Sequence, residues 1–223
     1  EAVAGQASRI DMELTEDHYV KITDNGRGIP VDPHPKFKDK SAVEVILTTL
    51  HSGGKFNGES YDTSGGLHGV GLSVVNALSD ELRVEIARDK NVWSQLYERG
   101  KPKTKLQNIG KASNRRGTTI IFHPDPKIFG SKIRFRPLLL YKMARSKAYL
   151  FKGVEIRWKC APGLLRDDAD TPETATLHFP GGLSDYLKVT LKDRDTITPM
   201  MFSGQADLNG STGTVEWSVA WPI

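Results

Sequence analysis

The sequence predicts an α+β fold, in which a mixed, mainly antiparallel sheet carries helices on one face. Runs of alternating or strand-favouring residues recur along the chain, at 9–14, 19–23, 82–87, 92–97 and 118–123. Separate segments have the apolar spacing or density of helices, at 41–50, 72–78 and 136–151. Strands in series with helices grouped apart from them are typical of the α+β class.

The first two predicted strands lead into a turn. Arg9–Leu14 and Tyr19–Thr23 alternate in polarity, and the second strand runs into the segment Asp24-Asn-Gly-Arg-Gly-Ile-Pro30. Two glycines and a proline there end the strand. Ser41, with Glu44 three residues later, predicts the N-cap of a helix that extends to about Leu50.

Residues 51–71 contain an unusual number of glycines. Long loops without structure of their own are uncommon in compact domains and are usually functional or disordered. The glycines are Gly53, Gly54, Gly58, Gly65, Gly66, Gly69 and Gly71. A buried helix is predicted directly behind them, at 72–78.

The rest of the chain predicts further strands and helices. The basic segment 99–116 is expected to be a loop, and 136–151 a longer helix with Leu139, Leu140 and Met143 near one side. Strands are expected at 154–158 and 175–179, and a short helix at 182–191. Residues 192–213 are linker-like, and the strand predicted at 214–221 has little chain after it to pair with. We therefore predict one domain over 1–191 and a truncated second domain over 192–223.

Composition indicates an ordinary soluble globular protein. Of the 223 residues, 38% are hydrophobic and 26% are charged. There is no apolar run of 18 residues and no basic-then-apolar leader, so neither a membrane partner nor a signal peptide is expected. The single cysteine, Cys160, fits a reducing compartment, and we expect a cytoplasmic protein. Because the chain opens at Glu1 without a methionine, we expect a fragment whose first elements are missing.

Positive charge is unevenly placed in a chain of net charge +4. One basic stretch spans 101–116 and another spans 127–159. Such stretches suit contact with a nucleic-acid backbone, and they equally suit a solvated surface. Charge alone leaves both interpretations open.

Asp24 is the first candidate binding residue. A carboxylate at the end of a buried strand needs donors, and the exocyclic amine of adenine is one suitable donor. Gly26 and Gly28 permit a sharp turn and the close approach of a ligand. The alternative is an ordinary Asp-Asn-Gly hairpin turn.

A second candidate is the segment Ser64-Gly-Gly-Leu-His-Gly-Val-Gly71. Its glycines free backbone N–H groups to point at an anion, and the following helix adds the partial positive charge of its N-terminus. The segment matches neither the P-loop nor the Rossmann pattern. A flexible surface loop is the alternative, although Leu67 and Val70 among the glycines are unusual for a linker.

Thr118 is a third candidate, directly after Arg116-Gly117. A threonine hydroxyl both donates and accepts, so it can share an adenine-bound water with Asp24. By itself, Thr118 is equally well explained as a β-favouring residue.

In order along the chain, Asp24–Gly28, Gly66–Gly71 and Gly117-Thr118 resemble the nucleotide-binding motifs of the GHKL ATPases. The contexts Leu50-His-Ser-Gly-Gly-Lys-Phe56 and Val74-Val-Asn-Ala-Leu78 are similar to those of type IIA DNA topoisomerase B subunits within that family. His34-Pro-Lys-Phe37 and Lys147-Ala-Tyr-Leu-Phe151 favour the topoisomerase IV type over gyrase. The resemblance covers essentially the whole chain and implies the two-layer Bergerat sandwich, with nucleotide between the helices and a lid.

The resemblance implies roles residue by residue. Asp24 and Thr118 hold adenine, Leu47 and Ile120 belong with Ile46 to its apolar walls, and Gly66–Gly71 form the lid over the phosphates. The residues implied to bind nucleotide are Asp24, Gly28, Ile29, Pro30, Ile46, Lys55, Gly66, Leu67, His68, Gly69, Val70, Gly71 and Thr118. Contacts with aminocoumarin-type inhibitors are implied for Glu1, Asp24, Arg27, Pro30, Arg88 and Thr118.

The same resemblance implies the cofactors ATP and Mg²⁺. It places the general base and the Mg²⁺-binding Asn upstream of Glu1, so no catalytic residue or metal ligand is expected here, and these residues alone are expected not to hydrolyse ATP. Asn25 stands where many relatives have aspartate. The implied partners are an A-type topoisomerase subunit in a heterotetramer, DNA, and a second B subunit in an ATP-dependent homodimer.

Other functions remain open on the residues alone. The gyrase B type is the first alternative within the subfamily. A mismatch-repair ATPase or a histidine kinase would carry the same three motifs. A non-enzymatic binding module with a degenerate pocket is the alternative outside the ATPases.

Overall fold

The computed structural model describes residues 5–50, 70–165, 170–192, 194–207 and 213–223. In chain order its elements are β1 (Arg9–Leu14), β2 (Val20–Asp24), α1 (Ala42–Thr48), α2 (Gly71–Ala77), β3 (Ser79–Arg88), β4 (Asn91–Glu98), β5 (Lys101–Pro102), β6 (Gln107–Lys111), β7 (Gly117–Pro124), α3 (Pro126–Phe129), α4 (Pro137–Leu150), β8 (Glu155–Cys160), β9 (Thr174–Leu177), α5 (Leu183–Thr190), β10 (Phe202–Asp207) and β11 (Thr214–Val219). A 3₁₀ turn at Pro162–Leu165 follows β8.

The main sheet is mixed and mainly antiparallel, as predicted. Among the described residues it has nine strands in the order β5-β4-β3-β7-β2-β1-β8-β9, with β6 also paired to β4. Its single parallel pair within the described ranges joins β1 to β8, with Met12 opposite Trp158. The strands β10 and β11 form a separate two-stranded sheet.

One face of the main sheet is apolar, and helices cover it. Strand register places Trp158, Met12, Ile22, Ile120 and Val84 in one row across five strands. Side chains alternate between faces along a strand, so the neighbours of these residues point to the opposite face. Ala144 and Ala148 of α4 pack on the row at the β8 end, whereas Val43 and Leu47 of α1 pack beside Val84. Helices on a single face confirm the predicted fold class.

The helix start at Ser41 is also confirmed. The Ser41 hydroxyl accepts a hydrogen bond from the Glu44 N–H at 3.3 Å and so caps α1. The helix ends at Thr48 rather than near Leu50. Nowhere in the described ranges is a helix long and apolar enough to span a membrane.

Two predictions about irregular segments were wrong. The basic segment 99–116 was expected to be a loop, but it contains β5 and β6, which pair with β4. The segment 192–213 was expected to be linker, but it contains β10. The partner of β11 is therefore β10, which lies before it in the chain rather than after it.

Candidate functional site

Asp24 lies at the last position of β2, where the chain turns back on its carboxylate. Its Oδ1 accepts hydrogen bonds from the Gly26 N–H at 2.8 Å and from the Thr118 N–H at 3.3 Å. The second donor belongs to β7, the strand paired with β2. The carboxylate is thereby fixed between the end of its own strand and the beginning of the next.

Thr118 holds the other side of the same turn. Only 6% of Thr118 is exposed, and its hydroxyl oxygen accepts a hydrogen bond from the Ile29 N–H at 3.1 Å. An oxygen that accepts in this way still has a proton to donate. Asp24, Thr118 and the loop through Ile29 therefore form one hydrogen-bonded unit.

Two glycines let the backbone segments of this unit come together. Gly28 has a φ of +78°, and a Cβ there would lie 3.1 Å from both the Ala87 carbonyl oxygen and Ile86 Cγ2. Gly117 has a φ of +115°, and a Cβ there would overlap the carbonyl oxygen of Asp24. A residue with a side chain at 117 would push β7 away from the Asp24 turn.

Two arginines bind the turn through its carbonyl groups. Arg88 Nη1 donates to the Gly28 carbonyl oxygen at 2.9 Å, and Arg116 Nε donates to the Asn25 carbonyl oxygen at 3.1 Å. Arg88 Nε also lies 3.4 Å from Asp89 Oδ2. Sequence reasoning missed the role of Arg116, because a basic residue before a strand is commonly a solvated one.

Asn25 fastens the turn to the start of β1. Its Oδ1 accepts from the Ser8 and Arg9 N–H groups at 3.0 and 2.9 Å, and its Nδ2 donates to Ser8 Oγ at 3.0 Å. A carboxylate oxygen would accept the same two backbone bonds. Asparagine therefore makes here the two backbone contacts that an aspartate could also make.

Helices α1 and α2 lie above the strands of the site. Ile46 is partly exposed on α1, whereas Leu47 is fully buried in the core, so of the two only Ile46 presents surface to a ligand. Asn76 of α2 is fully buried and donates from Nδ2 to the Leu47 carbonyl oxygen at 2.8 Å. That bond connects the helix behind the glycine-rich segment to the end of α1.

The structure brings some predicted site residues together and leaves others undescribed. Asp24, Gly28, Ile29, Pro30, Arg88 and Thr118 belong to the turn or to the strands around it. Val70 and Gly71 lie at the beginning of α2, and Arg27 is exposed. The predictions for Glu1, Lys55, Gly66, Leu67, His68 and Gly69 lie outside the described residues.

One other concave region of the described chain does not belong to this unit. A shallow depression of about 560 Å³ is lined by Asp11, Glu13, Arg157 and Lys159 among others. These side chains alternate with the apolar row, so the depression is on the sheet face opposite that row. Within the described ranges, no group of three or more His, Cys, Asp or Glu side chains is placed to hold a metal ion.

The geometry suits recognition of a planar, polar heterocycle. The partly buried Asp24 carboxylate, with one oxygen held by two backbone donors, is oriented before any ligand arrives, and a hydroxyl lies on the adjacent strand. A carboxylate accepts from an exocyclic amine, and glycine backbone permits close approach of a ring. These properties suit a site that recognises a base, which points to the nucleotide-binding class of proteins.

Comparison with known families agrees with that class. Residues 1–128 match the family of histidine kinase-, DNA gyrase B- and HSP90-like ATPases, and the chain belongs to this family. The match includes β1 to β7 and therefore the whole Asp24–Thr118 unit.

Individual relatives narrow the similarity. The chain is 53% identical over 221 residues to the B subunit of DNA topoisomerase 4 from Bartonella bacilliformis, covering 99% of this chain and 32% of the relative. It is 46% identical over 188 residues to the B subunit of DNA gyrase from Thermotoga maritima, covering 84% of this chain and 28% of the relative. The chain thus spans about a third of the length of these curated relatives.

A solved structure shares the fold. The 43K ATPase domain of Thermus thermophilus gyrase B, in complex with an aminocoumarin, superposes with a TM-score of 0.77 at 33% identity. The similarity covers 94% of this chain and 50% of that one.

Proposed function

We propose that this chain is the ATP-binding domain of a type IIA DNA topoisomerase B subunit of the topoisomerase IV type. The observation that carries the proposal is the Asp24 carboxylate, held by the Gly26 and Thr118 N–H groups at the base of the turn. Identity to B subunits of topoisomerase 4 over 99% of the chain supports the topoisomerase IV type.

At the adenine end, each residue has a distinct part. Asp24 accepts the hydrogen bond of the exocyclic amine, and the Thr118 hydroxyl donates to a water that Asp24 shares. Gly28, Ile29 and Pro30 line one side of the ring, and Ile46 lies on the other. Because these groups are oriented before binding, little conformational entropy is lost when the base enters.

At the phosphate end, the proposal assigns Lys55, the backbone of Gly66–Gly69, and Val70 and Gly71 at the start of α2. Mg²⁺ is part of the proposal as the ion that screens the phosphate charge. The described residues do not fit the role of its ligands, since no carboxylate or histidine cluster among them is placed for a metal. Accordingly, no step of the chemistry is derived through the ion from these residues.

In the whole protein, we propose that ATP binding and hydrolysis are coupled to passage of one DNA duplex through another. The partners are an A-type subunit, DNA and a second B subunit. The Thermus gyrase B domain is in complex with an aminocoumarin, and we propose that such inhibitors contact Asp24, Arg27, Pro30, Arg88, Thr118 and Glu1. The separate β10–β11 sheet supports a domain boundary near residue 191.

Gyrase is the second candidate, favoured by the Thermotoga relative and by the Thermus structure. The two activities differ in their product. Assays of the full-length protein with each type of A subunit distinguish them, because ATP-dependent negative supercoiling indicates gyrase. Decatenation without supercoiling indicates topoisomerase IV.

Asp24→Asn tests the adenine assignment. The asparagine side chain carries no charge. It presents to the adenine amine either an NH₂ group, which cannot accept a hydrogen bond, or an amide oxygen, which is a weaker acceptor than a carboxylate. Affinity for a non-hydrolysable ATP analogue should fall by about tenfold to a hundredfold, the range for a hydrogen bond to a charged group. Isothermal titration calorimetry on the full-length protein measures it.

Asp39→Asn is the matched control, since it makes the same change of charge at an exposed loop position. It should bind the analogue as the native protein does. Undiminished binding by Asp24→Asn would show that this carboxylate does not recognise adenine.

A further inference from the structure

Helix α4 presents an apolar stripe to solvent. Leu139, Met143 and Leu150 are 54%, 48% and 51% exposed, and Ser146 between them is exposed as well. The opposite side of the helix is in the core through Ala144 and Ala148. Among the residues that the structure describes, the helix is therefore apolar on two sides, of which only the side against the sheet is covered.

The four residues of this α4 stripe are spaced by four, three and four positions. At about 3.6 residues per turn, such spacing keeps them in a narrow line about 16 Å long along the helix axis. A line of this kind matches the seam along which two helices pack against each other. It is too narrow for the broad apolar face with which a helix enters a lipid surface.

Positive charge flanks the stripe on both sides. By helical position, Lys142 lies on one side, and Arg136 and Lys147 lie on the other. The surrounding segment 126–154 contains no aspartate or glutamate, and its cations are Lys127, Lys132, Arg134, Arg136, Lys142, Arg145, Lys147 and Lys152. In the described part of the chain, neither Lys142 nor Lys147 makes an ion pair, whereas Lys152 is paired with Glu216 at 2.7 Å.

From these observations we propose that the α4 stripe is a docking surface for an acidic amphipathic helix of a partner protein. Apolar residues of the partner would cover Leu139, Met143 and Leu150. Its flanking carboxylates would face Lys142 and Lys147, as charged positions do beside a helix–helix seam. The inference does not depend on nucleotide binding.

The charge pattern argues against two other occupants. A second copy of the chain would bring lysine-flanked stripes together, and like charges across a seam repel. Duplex DNA would satisfy the cations but would gain nothing from half-exposed leucine and methionine side chains at the centre, since it presents phosphates there. A helix with acidic flanks is complementary to both parts of the surface.

A synthetic helix tests the proposal directly. The probe is a fluorescein-labelled peptide of about 20 residues, long enough to be helical, with leucines in the same spacing and glutamates on both flanks. Fluorescence anisotropy with the full chain should show saturable binding. Leu139→Ser/Met143→Ser should weaken it by about tenfold or more, and a peptide with lysine flanks should not bind the native chain.

Reversing the charges of Lys142 and Lys147 gives the most decisive test. Lys142→Glu/Lys147→Glu should lose the glutamate-flanked peptide and gain the lysine-flanked one, which a misfolded variant would not do. Lys101→Glu/Lys111→Glu makes the same change of charge on β5 and β6 and should leave binding unaltered.

Three results with the peptides would overturn the proposal. These are no saturable binding of the glutamate-flanked peptide, equal binding of both peptides, or failure of the exchanged variant to reverse the preference. A labelled DNA duplex that binds α4 equally well with and without Leu139 and Met143 would also overturn it, and would identify the surface as a nucleic-acid contact.

Discussion

The two halves of the main sheet differ in the helices that cover them and in the side chains that they bury. Beneath α4, the β1–β8–β9 half has an apolar core around Trp158, Cys160 and Ala148, under a helix of 14 residues. Beneath α1 and α2, the half that carries Asp24 has two helices of seven residues. In that second half, buried polar side chains accompany the apolar ones, among them Asn76, Gln95, Thr118 and Thr119.

This difference indicates that the two halves are stabilised in different ways. In the Asp24 half, buried polar groups hold particular strands and turns in place; Gln95, for example, donates to Glu44 and to the Thr104 carbonyl oxygen at 3.0 Å each. Because these hydrogen bonds are directional and buried, this half tolerates little rearrangement. In the α4 half, stability comes from non-directional apolar burial.

The largest expected effect is that of Gly117→Ala in the Asp24 half. Its Cβ would overlap the Asp24 carbonyl oxygen, so the free energy of unfolding should fall by roughly 3–5 kcal/mol and nucleotide affinity should be lost. Urea denaturation and calorimetry measure the two quantities.

Gly153→Ala is the matched control in the α4 half. Gly153 also has a positive φ, of +79°, but a Cβ there meets nothing within 4 Å. Only backbone strain of about 1–2 kcal/mol is expected. If both substitutions cost the same, the close approach of β7 to the Asp24 turn is not what requires glycine at 117.

Next in size is Trp158→Phe in the α4 half. The substitution removes volume from the core and the bond from Trp158 Nε1 to the Pro172 carbonyl oxygen, which is 2.8 Å long. Stability should fall by about 2 kcal/mol while nucleotide affinity stays within about twofold. A parallel loss of affinity would mean that the two halves are coupled rather than separate in role.

Thr118→Val should lower nucleotide affinity more than it lowers stability, which is the opposite of what is expected for Trp158→Phe. Valine keeps the shape but leaves the Ile29 N–H without its acceptor, so stability should fall by about 1 kcal/mol and nucleotide affinity by about tenfold. Thr118→Ser retains the hydroxyl and should preserve most of the affinity. Equal binding by the valine and serine variants would exclude the hydroxyl from adenine recognition.

The smallest effect concerns acid stability at the far end of β7. Arg99 Nε donates to Asp125 at 2.6 Å, and this bond lowers the pKa of Asp125 below its ordinary value of 3.8. A carboxyl group with a lowered pKa in the folded state stabilises the fold above the unfolded pKa. That contribution is lost as the pH falls below 3.8 through the folded value.

Thermal unfolding of the native protein and of Asp125→Asn, recorded from neutral pH to below 3.8, measures this contribution. The native protein should lose stability with acid more steeply than the variant. Identical slopes would mean that Asp125 is protonated alike in both states.

Sequence patterns predicted the elements that bury a face. The alternation in Arg9–Leu14 reproduces β1 residue for residue, because Met12 and Leu14 enter the core. All five residues of β6 are exposed, so no alternation marked it as a strand. β10 is mostly exposed as well, and its conformation depends on pairing with β11.

The members of the candidate site were proposed from the sequence, but the contacts between them could not be. Asp24 and Thr118 were identified by resemblance, whereas the bond from the Ile29 N–H to Thr118 depends on how the loop returns to β7. Likewise, Gly117 next to a strand gives no sign that Asp24 lies against it. Contacts between segments about 90 positions apart are set by register, which local sequence does not encode.

The parallel pairing of β1 with β8 has a consequence for folding during synthesis. Residues 9–14 leave the ribosome early, but their partner at 155–160 follows only after most of the sheet has been made. At typical rates of translation, one edge of β1 stays unpaired for roughly ten to thirty seconds. An open strand edge invites aggregation, and charges along it oppose that. Arg9, Asp11 and Glu13 alternate along β1 and can protect the nascent chain during that interval.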